Sequence, residues 1–88
     1  MQVSKRKVNP ILEKQLAKTL YQLVVDLKNS QEAEDVMESL LSQTELTTVA
    51  KRLAVAYWLT KGRSYENIKE NLKVSSATVA DVQQRIKS

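Results

Sequence analysis

The sequence contains no cysteine, no histidine and no phenylalanine, and only one glycine and one proline in 88 residues. Without cysteine no disulfide can brace the chain, and a reducing, cytoplasmic setting is the simplest expectation. Without histidine or cysteine the usual transition-metal ligands are missing, and so is the commonest general base. Carboxylates, lysine and tyrosine remain, but no paired-carboxylate signature is present. No catalytic residue, metal site or cofactor is therefore expected, and the protein is not read as an enzyme. No apolar run approaches the roughly 20 residues of a membrane span. The N-terminal stretch Met1–Asn9 is basic with no apolar segment behind it, so it is not read as a secretion signal. A soluble cytoplasmic protein with no membrane partner is expected.

A single domain of this length buries only about 60% of the surface its unfolded chain would expose, so a lone core is marginal. With no disulfide or metal available, a partner chain is the remaining route to stability, and a homodimer is the natural expectation. The net charge of +4 is unevenly spread. Residues 1–50 sum to −1 and residues 51–88 to +5. A basic C-terminal half suits a polyanionic partner, although solvated helices carry such an excess too.

What is present reads as all-α, with about five helices, no strands and no internal repeat. Asn9-Pro10 is an N-cap followed by proline at the first helical position. Leu12, Leu16, Leu20, Leu23, Val24 and Leu27 then follow the helical period, and Ile11, Tyr21 and Val25 widen the stripe. A helix over about 10–28 is thus apolar on more sides than one small core can cover. Ser30 reads as the next cap, ahead of a short helix that buries Ala33, Val36, Met37, Leu40 and Leu41. Ser42-Gln43-Thr44-Glu45 matches a capping box opening a third helix. Its Leu53–Leu59 run is wholly apolar or aromatic, the pattern of a helix buried all round. Trp58 and Tyr57 on it read as packing residues. Gly62 stands where a left-handed C-terminal cap belongs. Two more helices follow, over about 65–72 and 76–87.

The last two helices fit a helix-turn-helix. Counting from Tyr65, aliphatic residues occupy the fourth, eighth, tenth, fifteenth and eighteenth positions: Ile68, Leu72, Val74, Val79 and Val82. An ordinary helical hairpin shares these offsets. Two positions depart from the common pattern, Lys69 where a small residue is usual and Lys73 where glycine is usual. A left-handed Lys73 would cost about 1 kcal/mol relative to glycine. In such a motif the N-terminal part of the second helix enters the major groove, and short side chains there allow close approach to base edges.

The stretch "LLSQTELTTVAKRLAVAYWLTKGRSYENIKENLKVSSATVADVQQRIK", Leu41 to Lys87, resembles the Trp repressor family, most of all its small YerC/YecD-like branch. The "LLSQTE" start, the Lys51-Arg52 pair, "LTKGRSYENIKENL" and the Ser-Ala-Thr-Val run carry the likeness, and the family's own helix-turn-helix carries "LK" at the point where Lys69 stands, which accounts for that residue. The resemblance implies an intertwined homodimer built on the early helices, with two helix-turn-helix heads on a palindromic operator in double-stranded DNA. With the helix pattern, the chain is expected to divide into a flexible basic tail (1–8), a helical dimerisation core of three helices (9–62) and a helix-turn-helix DNA-binding unit (63–88). The resemblance also implies a small-molecule effector pocket that would involve Leu41, Ser42, Arg52 and Asp81. An acidic group at Asp81 stands where the tryptophan-binding members have an arginine, and the sequence ends at Ser88 without their final helix. Tight tryptophan binding is therefore not expected, and whether another effector binds is open.

Ser76, Ala77, Thr78, Ala80 and Gln84 are the candidates for base-edge contact, and Arg63, Lys69, Lys73 and Ser75 for phosphate contact. Ser75 or Ser76 serves equally as a plain N-cap, and each lysine or arginine taken alone reads as solvated surface. Lys5-Arg6-Lys7 is read as a solubilising tail rather than a DNA-contacting arm. Glu66 and Asp81 carry the wrong sign for a phosphate neighbour, and they keep a second reading open. In that reading the same hairpin is a helical protein-interaction or structural module. A sequence-specific dimeric transcriptional regulator, acting as a repressor, is the leading one.

Overall fold

The computed structural model describes residues 6–87, so Lys5 of the basic tail and the terminal Ser88 lie outside the described residues. Five helices follow in order: α1 (Pro10–Asp26), α2 (Ser30–Leu40), α3 (Gln43–Thr60), α4 (Tyr65–Leu72) and α5 (Ser76–Lys87). No strand occurs among the described residues. No described helix is long and apolar enough to cross a membrane. The chain divides into two compact units, Met1–Gln43 and Thr44–Ser88. The third helix, grouped with the first two in the sequence reading, thus falls almost wholly in the unit of α4 and α5.

In the first unit, α1 starts as its sequence dictates. The Asn9 Oδ1 accepts a hydrogen bond from the Ile11 N–H at 2.8 Å, and Pro10 takes the first helical position. The helix ends at Asp26 rather than near residue 28, because Leu27 turns to extended backbone with ψ 130°. The cap of α2 is Asn29, not Ser30. Asn29 is extended, and its Oδ1 accepts from the Glu32 N–H at 2.8 Å, which leaves Ser30 as the first helical residue. Neither helix buries a residue fully within the chain. Ile11, Leu16, Tyr21, Val24 and Val25 on α1 and Leu40 on α2 are all exposed.

The second unit holds the core. Val55 of α3, Ile68 of α4 and Val79 and Val82 of α5 form one cluster, with Ala56, Trp58, Leu59, Leu72 and Val74 packed against it. The five aliphatic offsets of the hairpin therefore all enter this cluster. The Leu53–Leu59 segment is not buried all round. Val55 is fully buried, whereas Leu53 is 72% exposed and Tyr57 58% exposed. Val49, Leu53 and Tyr57 recur every fourth residue, so they share one exposed face of α3, on the side opposite Val55, and Val49 and Leu53 there border a groove shared with α5. A helix apolar on two faces covers one within this chain and leaves the other open.

Two left-handed residues turn the chain between these helices. Gly62 has φ +79°, with its N–H donated to the Leu59 carbonyl at 3.1 Å and the Arg63 N–H to the Trp58 carbonyl at 3.2 Å. That pair of bonds is a Schellman motif, and it needs a positive φ at the glycine. Lys73 takes φ 54°, ψ 51° between α4 and α5 without being glycine. Capping sets the helix starts: Ser64 Oγ accepts from the Asn67 N–H and Ser75 Oγ from the Thr78 N–H, each at 3.1 Å.

Ile68 is fully buried in a core with few members, so trimming it is felt directly. Ile68→Val is expected to lower unfolding stability by about 0.5–1.5 kcal/mol, read as a lower urea midpoint at fixed protein concentration with the slope unchanged.

Candidate nucleic-acid interface

The core fixes which side of α5 faces out. Val79 and Val82 point inward, so Ser76, Ala77, Ala80 and Gln84 are on the exposed side. Thr78 is half-buried, its Oγ1 lying 3.0 Å from the Ser75 Oγ, which makes it part of the cap. The small side chains at 76, 77 and 80 leave the first turns of α5 slim, as entry into a groove about 12 Å wide requires. The backbone N–H groups at that end carry the positive pole of the helix.

The cations sit around this end in different states. Lys73 is exposed in the left-handed turn, and its carbonyl accepts a hydrogen bond from the Lys51 Nζ at 3.3 Å. Lys51, Arg52 and Lys73, together with the hydroxyls of Thr48, Ser75 and Thr78, line a shallow groove of about 260 Å³ beside the start of α5. Lys69 lies 3.6 Å from Glu66, so a phosphate would compete with that carboxylate for it. Arg63 stacks on Trp58, its guanidinium carbon 4.0 Å from the ring centroid, and donates to Asn67 Oδ1 at 3.2 Å. It is exposed but held, and its stacking ties the start of α4 to the end of α3.

Asp81 is not a solitary acid beside the exposed face. Its Oδ2 accepts from the Arg52 Nη2 at 2.6 Å and from the Arg85 Nε at 3.0 Å. The Arg52 and Arg85 hydrogen bonds hold its carboxyl below the usual carboxylate range. Two guanidiniums around one carboxylate leave the cluster with a positive balance, so the expected repulsion of phosphate at this position is offset. Arg52 and Arg85 also border an open apolar groove of about 370 Å³ formed with Val49, Leu53, Val82 and Ile86.

With this geometry in place, the likeness to known proteins is specific. Residues 15–88 match the family described as Trp repressor protein. The chain belongs to the Trp repressor family. The crystal structure of a TrpR like protein from Eubacterium eligens matches with a TM-score of 0.75 at 32% identity, over 86% of this chain and 78% of that one. No curated protein matches the sequence.

Within this Trp repressor domain, the residues assigned to an effector pocket divide between the units. Leu41 and Ser42 belong to the first, Arg52 and Asp81 to the second, and the latter two meet each other directly. Among the described residues no cluster of three metal-ligating side chains exists. Two participants escaped the sequence reading. Ser64, capping α4, was signalled by the polar residue ahead of Tyr65. Lys51 carries only family likeness in the sequence, because nothing local shows that it reaches a turn 22 residues away.

Lys73 separates backbone strain from charge. Lys73→Gly is expected to relieve the left-handed backbone and raise stability by up to about 1 kcal/mol, less the entropy glycine adds to the unfolded chain. The same change removes a groove-lining cation, so it should weaken duplex binding. Urea unfolding and a duplex titration on one protein preparation check both directions.

Proposed function

We propose that this Trp repressor family member is a sequence-specific DNA-binding transcriptional regulator, acting as a dimer and repressing by occupying a palindromic operator. One observation carries the reading. The leading turns of α5 expose Ser76, Ala77 and Ala80 while Val79 and Val82 pin the opposite face in the core. A segment with small outward side chains and a rigid inner face suits groove entry. Around it lie Lys51, Lys73 and Lys69 for phosphate oxygens, which position a protein on the duplex without reading sequence. Ser75 caps the helix end, where backbone N–H groups can also meet phosphate.

Dimerisation is supported by the apolar excess. α1 and α2 bury nothing fully within the chain, and Val49, Leu53 and Tyr57 on α3 are open. Large apolar side chains exposed along three helices suit a second copy of the chain, and a soluble monomer rarely leaves such faces bare. Two copies would present two α5 helices, matching a two-fold operator. Asp81, which with Glu66 favoured a protein-interaction module, is paired with two arginines, so its charge weighs less against a nucleic-acid partner.

The test is a duplex selected from a random pool and then titrated against salt. Selection should return two related half-sites with centres about 34 Å apart or a multiple of that. Affinity should fall with salt at a log–log slope of about −0.9 per phosphate contacted. Lys69→Ala should weaken all sequences alike and lower the slope by up to about one unit, whereas substitutions at Ala77 or Thr78 should change which sequence is preferred. No selectable duplex, or binding indifferent to salt, would transfer the hairpin to a protein partner.

A further inference from the structure

Arg52 and Asp81 stand 29 residues apart in the chain, on α3 and α5, and meet at 2.6 Å. Arg85, one turn beyond Asp81, donates to the same oxygen at 3.0 Å. Helical spacing puts Asp81 directly after Ala77 on α5, along one flank of the exposed face, with Arg85 next in the row. The apolar core of Val55, Ile68, Val79 and Val82 fixes which face of α5 turns inward, but four aliphatic side chains, whose dispersion contacts lack direction, leave the helix a small range of roll about its axis. A charge-assisted hydrogen bond is directional. It narrows the roll that the core leaves to α5, and so the angle at which the outward side chains are presented.

We infer that Asp81 is a positioning residue, which through its bond to Arg52 holds α5 at one fine rotation on the core and so sets the angle at which Ser76, Ala77 and Ala80 are presented. The inference rests on the DNA-reading proposal and deepens it, since Asp81 itself need touch no base. The bond joins two parts of one chain, so it forms without any ligand. Arg52 is half-buried and already bonded to this carboxylate through Nη2. An external anion would have to displace a partner tethered beside it.

The sign of the charge effect makes the inference testable. If Asp81 and Arg52 acted only through the field they present to phosphate, removing them would have opposite results. Asp81→Asn would tighten binding by deleting a negative charge, and Arg52→Gln would weaken it by deleting a positive one. If they act as a clamp, both substitutions weaken binding to the selected duplex. We expect each to do so about two- to fivefold, the range of a modest, partly exposed ion pair. The double variant should be no weaker than the weaker single one, the non-additive outcome of a shared interaction. Asp81→Glu should retain most of the affinity. On an unrelated duplex, Asp81→Asn should bind as well as the wild type or better, because nonspecific affinity follows charge alone.

The measurements are titrations of the full chain and its variants with the selected and unrelated duplexes at one salt concentration, with circular dichroism to show that each variant keeps its helices. Amide hydrogen exchange on α5 gives a second readout that needs no DNA. Protection there should fall in both single variants. Opposite signs for the two variants, or unchanged α5 exchange, would overturn the inference while leaving DNA binding intact. A wild type that binds no duplex would instead defeat the DNA-reading proposal, and this inference with it.

Discussion

The structure depends on the four-way contact of Val55, Ile68, Val79 and Val82. α4 and α5 have 8 and 12 residues, lengths at which isolated helices are marginal in water. Their caps satisfy the first N–H groups but supply only local stability. What holds the pair is that Ile68 and the two valines of α5 close on Val55, a residue of the longest helix. The outward face of α5 is then a consequence of the inward one. Because the side chains at 79 and 82 are committed to the core, those at 77 and 80 point away, and Ser76 is exposed in the first turn.

The same logic extends to what is left uncovered. α3 is apolar on two faces, and the second unit uses one of them. The stripe of Val49, Leu53 and Tyr57 on the other face, and the nearly continuous apolar surface of α1, would be poorly tolerated in a free monomer. A chain of 88 residues has too little interior to hide so many large side chains. On the proposed reading the excess is the material of an interface, which supplies stability that the small core cannot. Folding and the display of two α5 helices would then depend on the same association.

Local features were legible in the sequence. The bounds of α4 and α5, the left-handed turn at Gly62 and the caps at Asn9 and Ser75 all follow from residues within a few positions of each other, whereas the left-handed Lys73 is only allowed for by the motif, since its side chain argues against it. Where two adequate caps adjoin, as at Asn29 and Ser30, composition does not choose, and the backbone selected Asn29. The Leu53–Leu59 run was misjudged because a string of apolar residues says how much surface wants cover, not whether the same chain provides it. Asp81 was read as an unfavourable charge because its partner Arg52 lies on another helix, and only the fold brings the two together. Side-chain state, such as Arg63 laid on Trp58 or Lys69 beside Glu66, was likewise outside the reach of spacing rules.

The central claim is that the leading end of α5 is the surface that meets a DNA duplex. The most direct measurement is a map of backbone amide shifts by nuclear magnetic resonance as the isotope-labelled protein is titrated with a selected duplex. The account predicts that the largest changes fall on Ser75 to Ala80 and Gln84, with smaller ones at Lys51, Lys69 and Lys73, and that Val49, Leu53 and Tyr57 stay still. Changes concentrated on that α3 stripe, with α5 silent, would contradict it.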